Sequence, residues 1–306
     1  MSVGWVSFAN YKAFTVKDLQ RISVVGLGLL GGSVSLAIRQ CMPGATVVGY
    51  SHRAATRRKA RDLALATEVA DDLGTAVSGT DLIILATPIF TFEQYFAEIS
   101  AAISSGCIVT DVGSTKILPH QWAQQRLGDH AHYVGSHPVA GSEQRGLEFA
   151  RDDLLVQARC ILTTTPQTHP AATRTLKRFW SALGCYVQTM TPEEHDRIFA
   201  NISHLPHLLA AGLVNASSRE DVKFAGKGFL DSTRIASGPA TIWTDVLLAN
   251  SNNIVEGLDR LLAELTKLRK AVEERDRKEI EALLEAARRR RATLVKYKIR
   301  KKELFS

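Results

Sequence analysis

Apolar and polar positions follow two periods along this chain, and the change of period divides it. Up to about residue 190, short unbroken apolar runs alternate with segments of helical spacing. Residues 21–25 (RISVV), 46–51 (TVVGYS), 81–88 (DLIILATP) and 107–111 (CIVTD) read as strands buried on both faces, as in a parallel sheet covered by helices. Tyr133 and Val134 read as the end of another strand. It delivers His137 into a turn, because Pro138 keeps its predecessor out of the helical region. Residues 158–165 (ARCILTTT) and 185–190 (CYVQTM), flanking a helical segment at 168–183, read as strands extending the same sheet. At Thr191-Pro192-Glu193-Glu194 the texture changes: an N-cap hydroxyl, proline at the first helical position and two acids in the first turn begin a helix. Only helical periods follow. Pro206 is expected to kink the first of these helices, residues 226–246 read as a glycine-punctuated loop, and residues 251–299 as two long helices.

The first strand runs straight into Gly26-Leu27-Gly28-Leu29-Leu30-Gly31, and an amphipathic helix follows. Strand, GxGxxG, helix is the context that gives this motif its meaning: a tight turn, close approach of a pyrophosphate to the backbone, and close helix–strand packing. Gly26, Leu27, Gly28, Leu29 and Gly31 are therefore candidate dinucleotide contacts. The fold class is α/β: a Rossmann-type doubly wound sheet over residues 21–190, followed by an all-α domain over 191–306. Residues 1–20 form an extension without a clear period.

Where an NAD-binding strand ends in a carboxylate for the ribose 2′-hydroxyl, this one ends in Tyr50-Ser51-His52-Arg53, with Thr56 and Arg57 close behind. Hydroxyls and guanidinium groups suit a 2′-phosphate, so Ser51, His52, Arg53 and Thr56 favour NADP over NAD. Arg57, Arg58 and Lys59 also fit a plain solvated helix face. Thr87 and Pro88 close the 81–88 strand on the nicotinamide side of such a sheet. Ser114 and His137 end successive strands and are expected at the crevice where strand order reverses. An imidazole on a strand end, bracketed by Gly135 and Gly141, suits proton transfer near neutral pH with a ligand close to the backbone. Ser203 and His207 share a helix face beside Pro206, either turned toward a ligand or satisfied within a core. Arg234 suits bidentate capture of a carboxylate, or pairing with Asp231.

Composition narrows the class. The chain has 306 residues, room for two domains, with 45% hydrophobic and 23% charged residues. The formal charge of +7 is local: residues 288–302 hold nine Lys or Arg, and the rest has 29 basic against 31 acidic residues. A neutral body argues against nucleic-acid binding and leaves the tail as a solvated helix end. Four separated cysteines without a CxxC pair point to a reducing compartment and to no metal site. We find neither a signal peptide nor a membrane span, and expect a cytoplasmic protein. The apolar stripes of the last two helices exceed what one small domain needs, which predicts a homodimer through them.

The motifs VVGLGLLGGS (24–33), ATPI (86–89), TDVGSTK (110–116), GSHPVAGSE (135–143), ISHLPH (202–207) and GFLDSTRIA (228–236) resemble the prephenate/arogenate dehydrogenase family. The resemblance covers residues 21 to about 290 in order. It implies oxidative decarboxylation of a cyclohexadienol in tyrosine biosynthesis, with hydride passing to NAD(P). By that resemblance His137 takes the proton from the ring hydroxyl and Ser114 hydrogen-bonds that hydroxyl. Ser203 and His207 lie near substrate and nicotinamide, and Arg234 grips a substrate carboxylate. Leu230 departs from a lysine that some prephenate-using relatives carry, which weakens the case for prephenate over arogenate without deciding it, because arogenate keeps the ring carboxylate. The length leaves no room for the regulatory domain of some members, so any feedback by tyrosine is expected at the active site.

Two other functions share the outline. A 3-hydroxyisobutyrate or 6-phosphogluconate type of dehydrogenase has the same layout but is expected to carry a lysine base in its helical domain. The helix predicted over 192–218 has no lysine. A non-catalytic nucleotide sensor is expected to have lost His137, Ser114 or Arg234, all of which are present.

Overall fold

The computed structural model describes residues 19–140 and 146–300, with the side chains of 299 and 300 left aside. Most of the extension, Gly141 and the end of the basic tail lie outside the described residues. The first half builds a parallel sheet from β1 (Arg21–Val25), β2 (Thr46–Tyr50), β3 (Glu68–Val69), β4 (Leu82–Leu85), β5 (Cys107–Asp111) and β6 (Ala131–Tyr133), ordered β3-β2-β1-β4-β5-β6. Strand order reverses between β1 and β4, whose register pairs Val25 with Leu85. The segments that follow them, Gly26 onward and Ala86-Thr87-Pro88, therefore flank the crevice where such sheets bind ligands.

Helices α1 (Leu29–Cys41), α2 (Ala54–Asp62), α3 (Leu73–Val77), α4 (Phe92–Ser100) and α5 (Ile117–Arg126) connect these strands. The residues of β4 and β5 are wholly buried, which explains their uninterrupted apolar character. Alternate strand residues feed two cores. Ile22, Val24, Leu82 and Ile84 pack with Val34 and Ile38 of α1, whereas Val25, Ile83, Leu85 and Val109 pack with Phe92, Phe96 and Ile99 of α4.

The later strands depart from the sequence expectation. β7 (Gly135–Val139), β8 (Arg159–Thr163) and β9 (Tyr186–Met190) form a separate three-stranded sheet, with β7 antiparallel and β9 parallel to β8. Val134 makes the corner. Its N–H still bonds Val109 O of β5, while its carbonyl accepts from Thr110 Oγ1. His137 consequently lies inside a strand, paired with Ile161, and not in a turn. Pro138 does enforce an extended backbone and is tolerated because β7 is an edge strand. Helix α6 (Pro170–Ala182) covers this sheet with Phe179 and Trp180, and Trp180 Nε1 donates to Ser136 Oγ at 3.0 Å.

From Pro192 onward the described chain is helical. Thr191 caps Glu194 N–H, and α7 (Pro192–Phe199) passes through a π-helical stretch, Ala200–His204, into α8 (Leu205–Ala216). The expected kink is thus a wide π-helical turn just before Pro206, and that turn accommodates the backbone bond proline cannot make within a continuous helical run. Residues 226–246 are not a loop. They form α9 (Lys227–Thr233), a 3₁₀ turn (Arg234–Ser237) and most of α10 (Ala240–Ala249). The described residues end with α11 (Ser251–Glu273) and α12 (Arg277–Arg300). No described helix is long and apolar enough to cross a membrane.

Gly135 was expected to admit a ligand, but internal packing requires it. A Cβ there would lie 2.4 Å from Thr163 Oγ1, 3.0 Å from Lys116 Cδ and 3.2 Å from His120 Nε2. The missing side chain lets the fully buried Lys116 pass beneath β7. Gly135→Ala should lower the unfolding free energy by about 1–3 kcal/mol through overpacking. Urea or thermal unfolding measures this, and unchanged stability would contradict it.

Candidate active site

The segment after β5 holds two separate acids. Asp111, the last residue of β5, pairs with Lys116 Nζ and accepts from Tyr133 OH (2.8 Å), Ser136 N (3.2 Å) and Gly113 N (2.8 Å). It therefore fixes the backbone immediately before His137. The N–H groups of Lys116 and Ile117 donate to Asp196 Oδ1 at 2.8 Å and Oδ2 at 2.9 Å. One short loop thus anchors both β7 in the first half and α7 in the second. Ser114 sits within that loop, half-buried.

Between these anchors runs a chain of imidazoles. His195 Nδ1 lies 2.8 Å from Asp196 Oδ1, and His195 Nε2 lies 2.9 Å from His137 Nδ1. Charge and valence fix the proton positions. An ionised carboxylate only accepts, so His195 donates from Nδ1. Neutral His195 then has a bare Nε2, which must accept from His137 Nδ1–H. That leaves His137 Nε2 as an unprotonated nitrogen, the form a general base requires.

The electrostatics keep both rings neutral. Burial pushes His195 down to about 2, with the nearby Lys116 charge adding to it. Burial, then His195, Lys116 and His204, hold His137 well below the usual histidine range. Burial raises Asp196 to about 6, against the pull of the two backbone N–H groups. Phe199 closes the cluster, stacked on His195 with ring centroids 4.4 Å apart and 4.6 Å from the His137 centroid.

The helical half joins the same cluster. Asn250 Nδ2 donates to the carbonyl of Asp196 at 2.7 Å and lies 3.1 Å from His204 Nδ1. His204 belongs to the π-helical stretch that also carries Ser203, half-buried beside it. His207, on α8, stacks on Trp243 of α10 at 3.6 Å and 13°. Thr115 Oγ1, His204 Nε2 and His207 Nδ1 are buried without a hydrogen-bond partner. Burying a polar atom this way is costly, and such atoms, one in the loop after β5 and two on the helical run from the π-helical stretch into α8, fit groups that a polar ligand would satisfy. Arg234 opens the 3₁₀ turn that packs against α8, exposed at its surface. Asp231, its alternative partner in sequence, is engaged by Lys227 at 2.8 Å.

The dinucleotide turn is built as its spacing requires. Gly26 has φ +104°, and a Cβ there would come 2.5 Å from Ala86 O. A Cβ on Gly31 would come 1.9 Å from Gly26 O, so α1 packs directly on the turn. Gly28 is exposed, faces open space and caps α1 without a side-chain bond. Those free helix N–H groups fit a pyrophosphate. Leu27 is core, packed near Gly49, so it offers only backbone to a cofactor, and Leu29 is half-buried. Thr87 bonds Thr91 at 2.7 Å, and the 3₁₀ turn after Pro88 meets α10. Ser51 is buried at the end of β2, His52 and Arg53 are exposed beyond it, and Thr56 is half-buried on α2. A groove of about 520 Å³ along α5, β6 and the start of α7 is lined by His120, His132, His169 and Glu193, none of them sequence candidates.

Sequence reasoning named His137, Ser114, Ser203, His207 and Arg234 but not His195, Asp196 or Asn250. A signal for the first two was available. Pro192, His195, Asp196 and Phe199 have i, i+3, i+4, i+7 spacing and are all buried on one face of α7. A histidine and an acid on the buried stripe of a helix call for partners.

Comparison with known proteins now places the chain. Two family models match: the prephenate dehydrogenase nucleotide-binding domain over residues 34–189 and the prephenate dehydrogenase dimerization domain over 191–286. Prephenate dehydrogenase of Bacillus subtilis is 35% identical over 265 residues, covering 83% of this chain and 71% of its own length. Cyclohexadienyl dehydrogenase of Zymomonas mobilis is 32% identical over 264 residues, covering 84% and 90%. Among solved structures, the Aquifex aeolicus prephenate dehydrogenase with hydroxyphenyl propionate and NAD+ superposes with a TM-score of 0.83. It is 30% identical, and the match covers 90% of this chain and 98% of that one. Synechocystis arogenate dehydrogenase gives 0.77 at 29% identity, covering 90% and 100%.

Replacing Asp196 with Asn removes the group that fixes the ring tautomers. Turnover should fall about 10²–10⁴-fold with KM little changed. In the intact protein, activity should persist below the usual histidine pKa and fall as Asp196 takes up a proton near pH 6. A steady-state pH profile of both proteins tests this, and an unaltered D196N turnover would contradict it.

Proposed function

This chain belongs to the prephenate dehydrogenase family and is a prephenate/arogenate (cyclohexadienyl) dehydrogenase of tyrosine biosynthesis, and from that premise we propose how its residues divide the work. His137 Nε2 removes the proton from the ring hydroxyl while hydride leaves the same carbon. A bound nicotinamide supplies the hydride acceptor. Loss of carbon dioxide then aromatises the ring, so the protein needs to supply only a base, alignment and anion binding. The His137–His195–Asp196 hydrogen-bond chain, from which a bare Nε2 on His137 follows, is the observation that carries this reading.

Ser114 hydrogen-bonds the reacting hydroxyl from the loop that anchors the chain. Ser203 and His207 border the ring and the nicotinamide, and Arg234 pairs with a substrate carboxylate. Residues 21–190 bind the dinucleotide, and residues 191–306 complete the substrate site and form a homodimer. The exposed Leu209 and Leu213 of α8, Ile242 and Leu248 of α10, and Val255, Leu262 and Leu265 of α11 supply the apolar face for it. NADP is preferred over NAD, because no carboxylate follows Tyr50 and the segment offers Ser51, His52, Arg53 and Thr56 instead. The Aquifex relative was crystallised with NAD+, so the preference is this chain's own and has to be measured. Leu230 is exposed on α9 and offers no charge to a second carboxylate, which leaves prephenate and arogenate both as substrates.

Assays of the purified protein with each substrate and each cofactor, followed by absorbance of the reduced nicotinamide, decide these points. Faster turnover with NADP is expected, and equal turnover would overturn the cofactor preference alone. His137→Asn should lose about 10²–10⁴-fold in kcat while still binding dinucleotide. Arg234→Gln should raise KM about 10–100-fold with a smaller effect on kcat. Loss of dinucleotide binding in H137N would refute its role as base.

A further inference from the structure

Discrimination between a ribose hydroxyl and a ribose phosphate belongs at the end of β2, where an acid repels the phosphate. None follows Tyr50, yet the structure brings one in from the neighbouring strand. Asp71, two residues beyond β3, accepts from Arg57 Nε at 3.2 Å and from Arg61 Nη2 at 2.8 Å. Arg57 is not a solvated helix residue. Its Nη1 donates to the carbonyls of Ser51 (2.8 Å) and His52 (3.1 Å), the backbone that ends β2. Its side chain is 14% exposed, whereas that of Asp71 is 73% exposed. A guanidinium is therefore fixed against the backbone that ends β2, with a carboxylate on one edge. Hydrogen bonds from Arg61 and then Arg57 hold the Asp71 carboxyl below its usual range, so it stays ionised at neutral pH.

We infer that Asp71 tunes the NADP/NAD balance, offsetting the charge of Arg57 and so weakening the 2′-phosphate site without displacing its guanidinium. This rests on the reading above that the end of β2 holds the adenosine ribose. A unit negative charge about 3 Å from the guanidinium lowers the local positive potential, while the two carbonyl bonds preserve the geometry. Exposure to solvent screens the effect and makes it depend on salt. Lys59, close by on the same helix, is engaged by Glu148 at 3.1 Å, so its charge is also partly offset.

Titration calorimetry with adenosine 2′,5′-bisphosphate and with adenosine 5′-phosphate isolates this site from catalysis. Asp71→Asn should bind the bisphosphate about two- to five-fold more tightly at low salt, with 5′-phosphate binding unchanged. Arg57→Gln should weaken the bisphosphate about ten-fold or more and leave the 5′-phosphate unaffected. In the Arg57→Gln background the Asp71→Asn gain should disappear. An unchanged ratio in D71N would overturn the inference, as would equal weakening of both ligands, which marks a contact with adenosine itself. A gain that persists without Arg57 would also overturn it. Wild-type protein that binds both ligands alike would defeat the NADP preference separately, while the D71N shift would still decide the role of Asp71.

Discussion

The carboxylate of Asp196, held by two consecutive backbone N–H groups, is the constraint on which the site depends. Those groups belong to Lys116 and Ile117 in the sheet half, whereas Asp196 rides on the first helix of the other half. One side chain therefore fastens the two halves and dictates the proton on His195, hence on His137. The price is electrostatic. Burial raises the Asp196 pKa to about 6, so its protonated form is favoured in the folded state. The stability gained is present below the normal carboxyl pKa and lost as pH rises through about 6. The ionised form that aligns the histidines is thus less stable than the protonated one, a trade typical of functional sites.

The loop from Asp111 to Ile117 works in both directions. Asp111 fixes the entrance to β7 through Ser136 N, and Lys116 neutralises it from a position buried beneath Gly135. That charge also helps keep His137 and His195 unprotonated. A base that must be neutral at working pH is better served by a neighbouring cation than by a carboxylate in direct contact. The acid is accordingly placed one imidazole away.

Much of this was legible in sequence, for identifiable reasons. β1, the GxGxxG turn, β2, β4 and β5 could be read because buried parallel strands are apolar without interruption, and glycines mark the turn. The placement of β8 and β9 could not, because local pattern does not say which sheet a strand joins; the corner at Val134 decides that. Residues 226–246 read as loop because Gly226, Gly228, Gly238 and Pro239 hide two short helices that tertiary packing stabilises. His137 stood out beside proline and glycine. His195 and Asp196 did not, since an acid in the first turns of a helix has a ready explanation in the helix dipole. Only their position on the buried stripe marks them as partners of His137.

Catalysis turns on which ring nitrogen of His137 lacks a proton. Nitrogen-15 NMR of histidine-labelled protein near pH 7.5, with the resonance assigned by its loss in His137→Asn, measures this directly. The predicted result is a neutral His137 with Nδ1 protonated and Nε2 of pyridine type. A ring protonated on Nε2 alone, or on both nitrogens, would contradict it.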